Sequence, residues 1–286
     1  MSGAPLAELA GRVAAITGGG SGIGRALAIA CAEAGMDVAL ADVEAEKADE
    51  TLAEVEARGR RGLAARVDVG EFAEVDAFAA RTFAELGACH LLCNNAGVIV
   101  MGATHERTLE DWAWIVRVNL FGVIHGVRAF VPRMIEAGGP GHVLNTASIN
   151  GLIALPANGA YTATKYAVLG LSESLRLDLA PHGIGVTALC PSAVKTGILR
   201  SERNRPAALG TSKVTREDVL RIMEAGAGAN STALGADRVA AAALAAVRSD
   251  EAYAITHPGT KPLFEARAEG ILAAFDRARE RDPEAP

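Results

Sequence analysis

The sequence is poor in aromatic residues, which make up 4% of its 286 positions, and it holds only four cysteines, Cys31, Cys89, Cys93 and Cys190. None of these forms a CxxC pair, which argues against a zinc ribbon or a dithiol redox motif. Three of them stand in or beside apolar strand-like runs and read as small buried hydrophobes, which fits a reducing, cytoplasmic setting. The six histidines are scattered without metal-ligand spacing, so no metal is expected. No run of five like charges occurs and the net charge is −6, so nucleic acid is not an expected partner. Met1 to Gly11 lacks a basic start followed by an apolar run, and no apolar stretch is expected to reach the length of a membrane span. No linker or internal repeat divides the chain, which predicts a single domain over residues 1–286.

What the sequence does have is alternation. Strand-like runs stand at 13–17, 37–42, 63–69, 90–94, 142–148, 185–190 and 252–256. Helical patterns stand at 22–34, 44–58, 72–86, 109–137, 160–180, 237–248 and 263–279. This order predicts an α/β fold, a doubly wound parallel sheet flanked by helices on both faces. The strand-like runs are apolar throughout, as a sheet covered twice requires. After Pro191 the pattern breaks. Residues 192–235 are rich in Ser, Gly, Asn, Arg and Ala, with one helical stretch near 217–224, and the tail 281–286 is polar.

The first strand-like run passes into the first helix through Thr17-Gly-Gly-Gly-Ser-Gly-Ile-Gly24. A glycine cluster alone can be a simple turn. Between a buried strand and an amphipathic helix it becomes a candidate phosphate cradle, because backbone N–H groups at a helix N-terminus attract an anion and glycines allow close approach. Gly18, Ser21, Gly22, Ile23 and Gly24 are the residues expected there, in a Rossmann-like arrangement. The second strand ends at Asp42, near the separation at which an acidic residue binds the adenosine ribose hydroxyls of NAD and repels the extra phosphate of NADP. Asp42 also precedes a helix and could cap it. Asp68, with the backbone of Val69, could touch the adenine or could be another cap.

Tyr161 and Lys165 stand at i and i+4 of a predicted helix, so they share a face. A phenol titrates near pH 10, and a neighbouring ammonium lowers that value by favouring the phenolate. The pair can therefore exchange a proton with a substrate. Ser148, expected at the end of the fifth strand, could hold the substrate oxygen meanwhile.

These residues together carry a resemblance to the short-chain dehydrogenase/reductase family over nearly the whole chain. Thr17-Gly18-x-x-x-Gly22-x-Gly24 is similar to its cofactor loop. Asn94-Asn95-Ala96-Gly97 matches the motif after its fourth strand, and Asn119, Ser148, Tyr161 and Lys165 match its catalytic tetrad. The resemblance implies that Asn95 stabilises the sheet and that Ala96 and Gly97 lie along the cofactor. It implies that Asn119 kinks its helix and holds a proton-relaying water, and that Lys165 also binds the nicotinamide ribose. Pro191, Val194 and Thr196 match the segment that holds the nicotinamide carboxamide. Ser192 stands where a glycine commonly follows that proline.

The family's substrate loop corresponds to about 197–235, whose mixture of apolar and charged residues suits a lid over a hydrophobic or aromatic substrate or a packing helix equally. Val98, Asn150, Leu152 and Leu155 are expected to line the pocket, and Trp112 and Trp114 to serve core or subunit packing. The Thr256-His257-Pro258 segment and the long C-terminal helix resemble bacterial members that oxidise bulky secondary alcohols. The expected function is hydride transfer between NAD(H) and a small-molecule secondary alcohol or ketone. The alternatives are a 3-ketoacyl reductase and a non-catalytic cofactor-binding regulator. The resemblance also implies a homotetramer or homodimer.

Overall fold

The computed structural model describes residues 6–282 except 213, 214, 216, 219 and 222–231. Seven strands form one parallel sheet: β1 (Val13–Thr17), β2 (Asp37–Asp42), β3 (Gly62–Arg66), β4 (Leu91–Asn94), β5 (Gly141–Thr146), β6 (Ile184–Cys190) and β7 (Tyr253–Ile255). Their order is β3-β2-β1-β4-β5-β6-β7. The order reverses between β1 and β4, which opens a crevice at the carboxyl ends of those strands, where ligands bind in sheets of this kind.

Side chains alternate between two cores, as a pleated strand requires. Ala14, Ile16, Val38, Leu40, Leu91, Cys93 and Leu144 face a layer built from α1 (Gly22–Glu33) and α7 (Ala236–Arg248). Val13, Ala15, Ala39, Leu92 and Val143 face the other layer. That layer holds Phe78 of α3 (Phe72–Leu86), Phe130 of α5 (Gly122–Ala137) and Leu175 of α6 (Gly159–Leu179). The helix α2 (Ala45–Glu56) follows β2. All four cysteines are free and buried, and burial pushes the thiols of Cys31, Cys89 and Cys190 up to about 12.

Several expectations change in detail. The third strand ends at Arg66, so Asp68 lies beyond it in the turn that leads to α3. The fifth ends at Thr146, and Ser148 follows as the N-cap of a short 3₁₀ turn, Ile149–Gly151. The region 109–137 is long and apolar enough to cross a membrane by length and composition, contrary to expectation. More than half of its most apolar window is buried inside the fold, so its hydrophobicity is that of a core helix. It is also not one regular helix. After α4 (Leu109–Val116), a π-helical turn at Arg117–Phe121 holds Asn119 before α5 begins.

Of the stretch near 217–224, Glu217, Asp218, Leu220 and Arg221 are helical and the other four residues lie outside the described residues. Upstream of it, the chain after β6 forms 3₁₀ turns at Ile198–Asn204 and Ala207–Leu209. These turns are tied to α4, because Arg205 pairs with the buried Asp111 at 2.7 Å and lies 5.3 Å over the Trp114 ring. The chain ends in α8 (Lys261–Arg281), none of whose residues is buried.

Candidate active site

The carboxyl ends of the strands open into a cavity of about 220 Å³. Parallel pairing explains why distant motifs meet there. Thr17 is in register with Ala41, so Asp42 stands beside the glycine loop. Ile16 is in register with Cys93, so Asn95 stands on its other side.

The glycine loop forms a cradle that side chains would fill. A Cβ on Gly18 would meet Ala96 Cα at 2.8 Å, and one on Gly24 would meet the Gly18 carbonyl at 2.0 Å. Gly18 and Gly22 also have positive φ, at 65° and 53°, where a side chain is costly. Gly18, Ser21, Gly22 and Ile23 line the cavity, whereas Gly24 sits behind them and lets α1 approach the loop. Asn95 secures the other edge by donating from Nδ2 to the Thr17 carbonyl at 3.1 Å. Ala96 and Gly97 continue the wall.

Asp42 is buried on the wall, and its carboxylate accepts from the Gly20 N–H at 2.8 Å and the Glu44 N–H at 2.9 Å. Burial raises its pKa, and the two N–H groups oppose the rise. Asp68 and Val69 line the wall as well. The Asp68 carboxylate accepts from Arg117 Nη2 at 2.7 Å and from the Gly70 N–H at 2.9 Å, so it also holds its own turn.

Tyr161 and Lys165 reach the cavity from α6, and Ser148 reaches it from beyond β5. Ser148 Oγ accepts from the Asn150 N–H at 3.1 Å and donates to the Pro191 carbonyl at 3.3 Å. Lys165 Nζ donates to the Thr146 carbonyl at 2.7 Å and lies 5.5 Å from the centre of the Tyr161 ring. The expected lowering of the phenol is not found. Burial pushes Tyr161 up to about 12, with the Ser148 hydroxyl pulling the other way. Burial also pushes Lys165 down to about 8. Desolvation disfavours both charged forms more than this geometry favours them.

Asn119 is fully buried beneath the wall. Its Oδ1 accepts from the Val98 N–H at 2.8 Å, and its Nδ2 donates to the Val98 carbonyl at 2.9 Å and to Thr164 Oγ1 at 3.2 Å. The π turn at Asn119 thus fixes the strand of wall that follows Asn95.

Pro191, Ser192, Val194 and Thr196 close the cavity beside Ser148. Val98 lines it, but Asn150, Leu152 and Leu155 are not among its lining residues. Asn150 instead turns inward and donates to Thr162 Oγ1 at 3.2 Å. Trp114 and Arg117 line the wall, as do Ser201, Arg203, Asn204 and Pro206 of the expected substrate-loop region, none of which the sequence motifs single out individually. Ser201 Oγ accepts from the Ile99 N–H at 3.1 Å. Arg203 pairs with Glu44 at 2.6 Å across the mouth, so a basic residue does approach Asp42 in space. Among the described residues, no cluster of His, Cys, Asp or Glu could hold a metal.

Residues 12–207 match the family model described as short chain dehydrogenase. The chain is 34% identical over 275 residues to the C alpha-dehydrogenase of Sphingobium sp. strain SYK-6, covering 96% of this chain and 89% of that one. It is 37% identical over 229 residues to the 1-deoxy-11-beta-hydroxypentalenate dehydrogenase of Streptomyces exfoliatus, covering 79% and 81%. The crystal structure of a short-chain dehydrogenase/reductase from Burkholderia phymatum in complex with NAD superimposes with a TM-score of 0.87 at 39% identity, covering 98% of both chains. With its motifs gathered around one cavity at the reversal of the sheet, this chain belongs to the short-chain dehydrogenase/reductase family.

Proposed function

We propose that this oxidoreductase moves a hydride between NAD(H) and a bulky hydrophobic or aromatic secondary alcohol or ketone. The observation that carries this reading is the meeting of Ser148, Tyr161 and Lys165 at one end of the glycine-lined cavity. The wall fits a dinucleotide. Glycines leave room at the N-terminus of α1, and two of the roughly four acceptor positions of the Asp42 carboxylate remain open for ribose hydroxyls.

Bound oxidised NAD supplies a hydride acceptor and a positive ring whose charge favours the Tyr161 phenolate. Ser148 holds the substrate oxygen, and Tyr161 takes the hydroxyl proton as the carbinol becomes a carbonyl. Lys165 would hold the nicotinamide ribose, and a water near Asn119 would carry the proton onward from it. In the reduction direction Tyr161 returns the proton to the oxygen. Asn95, Ala96 and Gly97 would lie along the cofactor, and Pro191, Val194 and Thr196 would hold its carboxamide. Trp114, Val98 and Pro206 give the substrate end an apolar wall, which supports a bulky substrate. The 1-deoxy-11-beta-hydroxypentalenate dehydrogenase among the relatives is named for a hydroxylated substrate, which supports an alcohol as the substrate here.

Tyr161→Phe tests the mechanism. With a substrate found by screening aliphatic, steroid, aryl and sugar alcohols, kcat/KM is expected to fall by about 10³-fold, with the NADH Kd within about threefold. Full activity in the Phe variant would refute the proton-transfer role. A chain with intact NADH binding and no turnover on any alcohol would favour the regulator instead.

A further inference from the structure

His257 lies outside the proton chemistry, yet it grips the loop that closes the cavity. It follows β7, whose Ile255 is in register with Cys190, so the chain beyond β7 runs beside Pro191–Ala193. The His257 ring touches that loop through both nitrogens. Nδ1 accepts from the Ser192 N–H at 3.2 Å, and Nε2 lies 3.0 Å from the Ala193 carbonyl. An acceptor at Nδ1 and a carbonyl at Nε2 together require the neutral ring with its proton on Nε2. Thr256 Oγ1 lies 2.7 Å from Nδ1 and can donate to it. The ring is buried, and burial lowers its pKa.

The grip reaches the catalytic end within two peptide units. The Pro191 carbonyl accepts from Ser148 Oγ and from the Ile149 N–H. The Ala193 carbonyl also accepts from the Leu234 N–H at 3.0 Å, so the loop is held from two sides. In this loop Ser192 replaces the family's more mobile glycine. A loop with less freedom of its own and a histidine fixing its N–H is a rigid seat.

We propose that His257 is a positioning residue that holds loop Pro191–Thr196 in place for the nicotinamide end of the cofactor. This rests on the reading that NAD lies in the cavity with its nicotinamide beside Tyr161. The test compares NADH with ADP-ribose, which lacks the nicotinamide, using the purified chain of 286 residues. Fluorescence titration reads NADH affinity and the emission of its bound ring, and calorimetry reads ADP-ribose.

His257→Ala is expected to raise the NADH Kd about tenfold, the size of one lost buried hydrogen bond. It should also shift the emission of bound NADH towards that of the free molecule, with ADP-ribose affinity within about twofold. His257→Asn, whose carboxamide oxygen can take the Ser192 N–H, is expected to recover part of both. If His257→Ala does not fold, the Asn variant and His257→Gln carry the same comparison. Equal weakening of NADH and ADP-ribose overturns the proposal, because His257 would then serve the fold alone, and so does no change in either. If the unsubstituted chain binds ADP-ribose but leaves NADH emission unaltered, the seating of the nicotinamide is wrong and the proposal falls with it.

Discussion

If the chain prefers NADH as proposed, Asp42→Ala is expected to make it bind NADH and NADPH about equally. The carboxylate can accept about four hydrogen bonds, and the Gly20 and Glu44 N–H groups use two of them. The other two face the adenosine ribose in the proposed pose. A hydrogen bond to a charged group contributes about 1.5–3 kcal/mol. Losing two at the lower end costs about 3 kcal/mol, or roughly 100-fold in the NADH Kd. NADPH loses nothing comparable, because its 2′-phosphate is repelled by Asp42 rather than held. Arg203 acts on the Asp42 carboxylate from across the mouth, and its pairing with Glu44 offsets part of that charge. The pH dependence carries a sign as well. Only the ionised carboxylate accepts from both hydroxyls, and burial raises the Asp42 pKa. NADH affinity should therefore weaken on acidification at a pH above the ordinary aspartate range, and the Ala variant should lack that limb. Paired NADH and NADPH fluorescence titrations from neutral to acid pH read all of this. Tighter binding of NADPH by the unsubstituted chain, or an Ala variant within about twofold for NADH, refutes the role of Asp42.

Asn119→Ala removes both partners of the buried Val98 peptide groups. At about 1–3 kcal/mol for each group left unpaired, and roughly 2–4 °C per kcal/mol in a chain of this size, calorimetry should show a thermal midpoint lower by about 5–15 °C. An unchanged midpoint would mean that the π turn does not depend on this side chain. Buried His142, whose Nε2 lies 2.8 Å from Thr187 Oγ1, is pushed down to about 4 by burial, against 6.5 ordinarily. Between those values the unfolded chain binds the proton and the folded chain does not, so stability should fall by about 3 kcal/mol as pH drops from 7 to 4. Denaturant titrations of His142→Gln should show that slope reduced, and an identical slope would rule out His142 as its source. Light scattering is expected to give two or four times the chain mass of 29.4 kDa, and a single-chain mass would refute the proposed assembly.

The glycine-lined end of the cavity was legible because each of its motifs lies at the end of a strand or directly after it. Gly18–Gly22 and Asn95–Gly97 stand directly after β1 and β4, Asp42 is the last residue of β2, and parallel pairing carries the ends of those strands to one edge. Reading the order of strands therefore amounts to reading the site. The substrate end follows another rule. Trp114, Ser201, Arg203 and Pro206 come together through the Asp111–Arg205 pair, which joins positions far apart in sequence. No local pattern announces that contact. Adjacency in sequence even misleads there, since Asn150 stands two residues from Ser148 and turns inward to Thr162. The phenol shows the same limit in energetic form. Spacing places Lys165 near Tyr161, but burial moves the phenol up and the ammonium down, against the lowering of the phenol that spacing suggests. A positive nicotinamide ring is therefore what the mechanism asks to tip Tyr161 towards the phenolate. In the proposed mechanism the Tyr161 phenolate would form beside that ring and not without it, so uptake of the alcohol proton would be coupled to NAD binding.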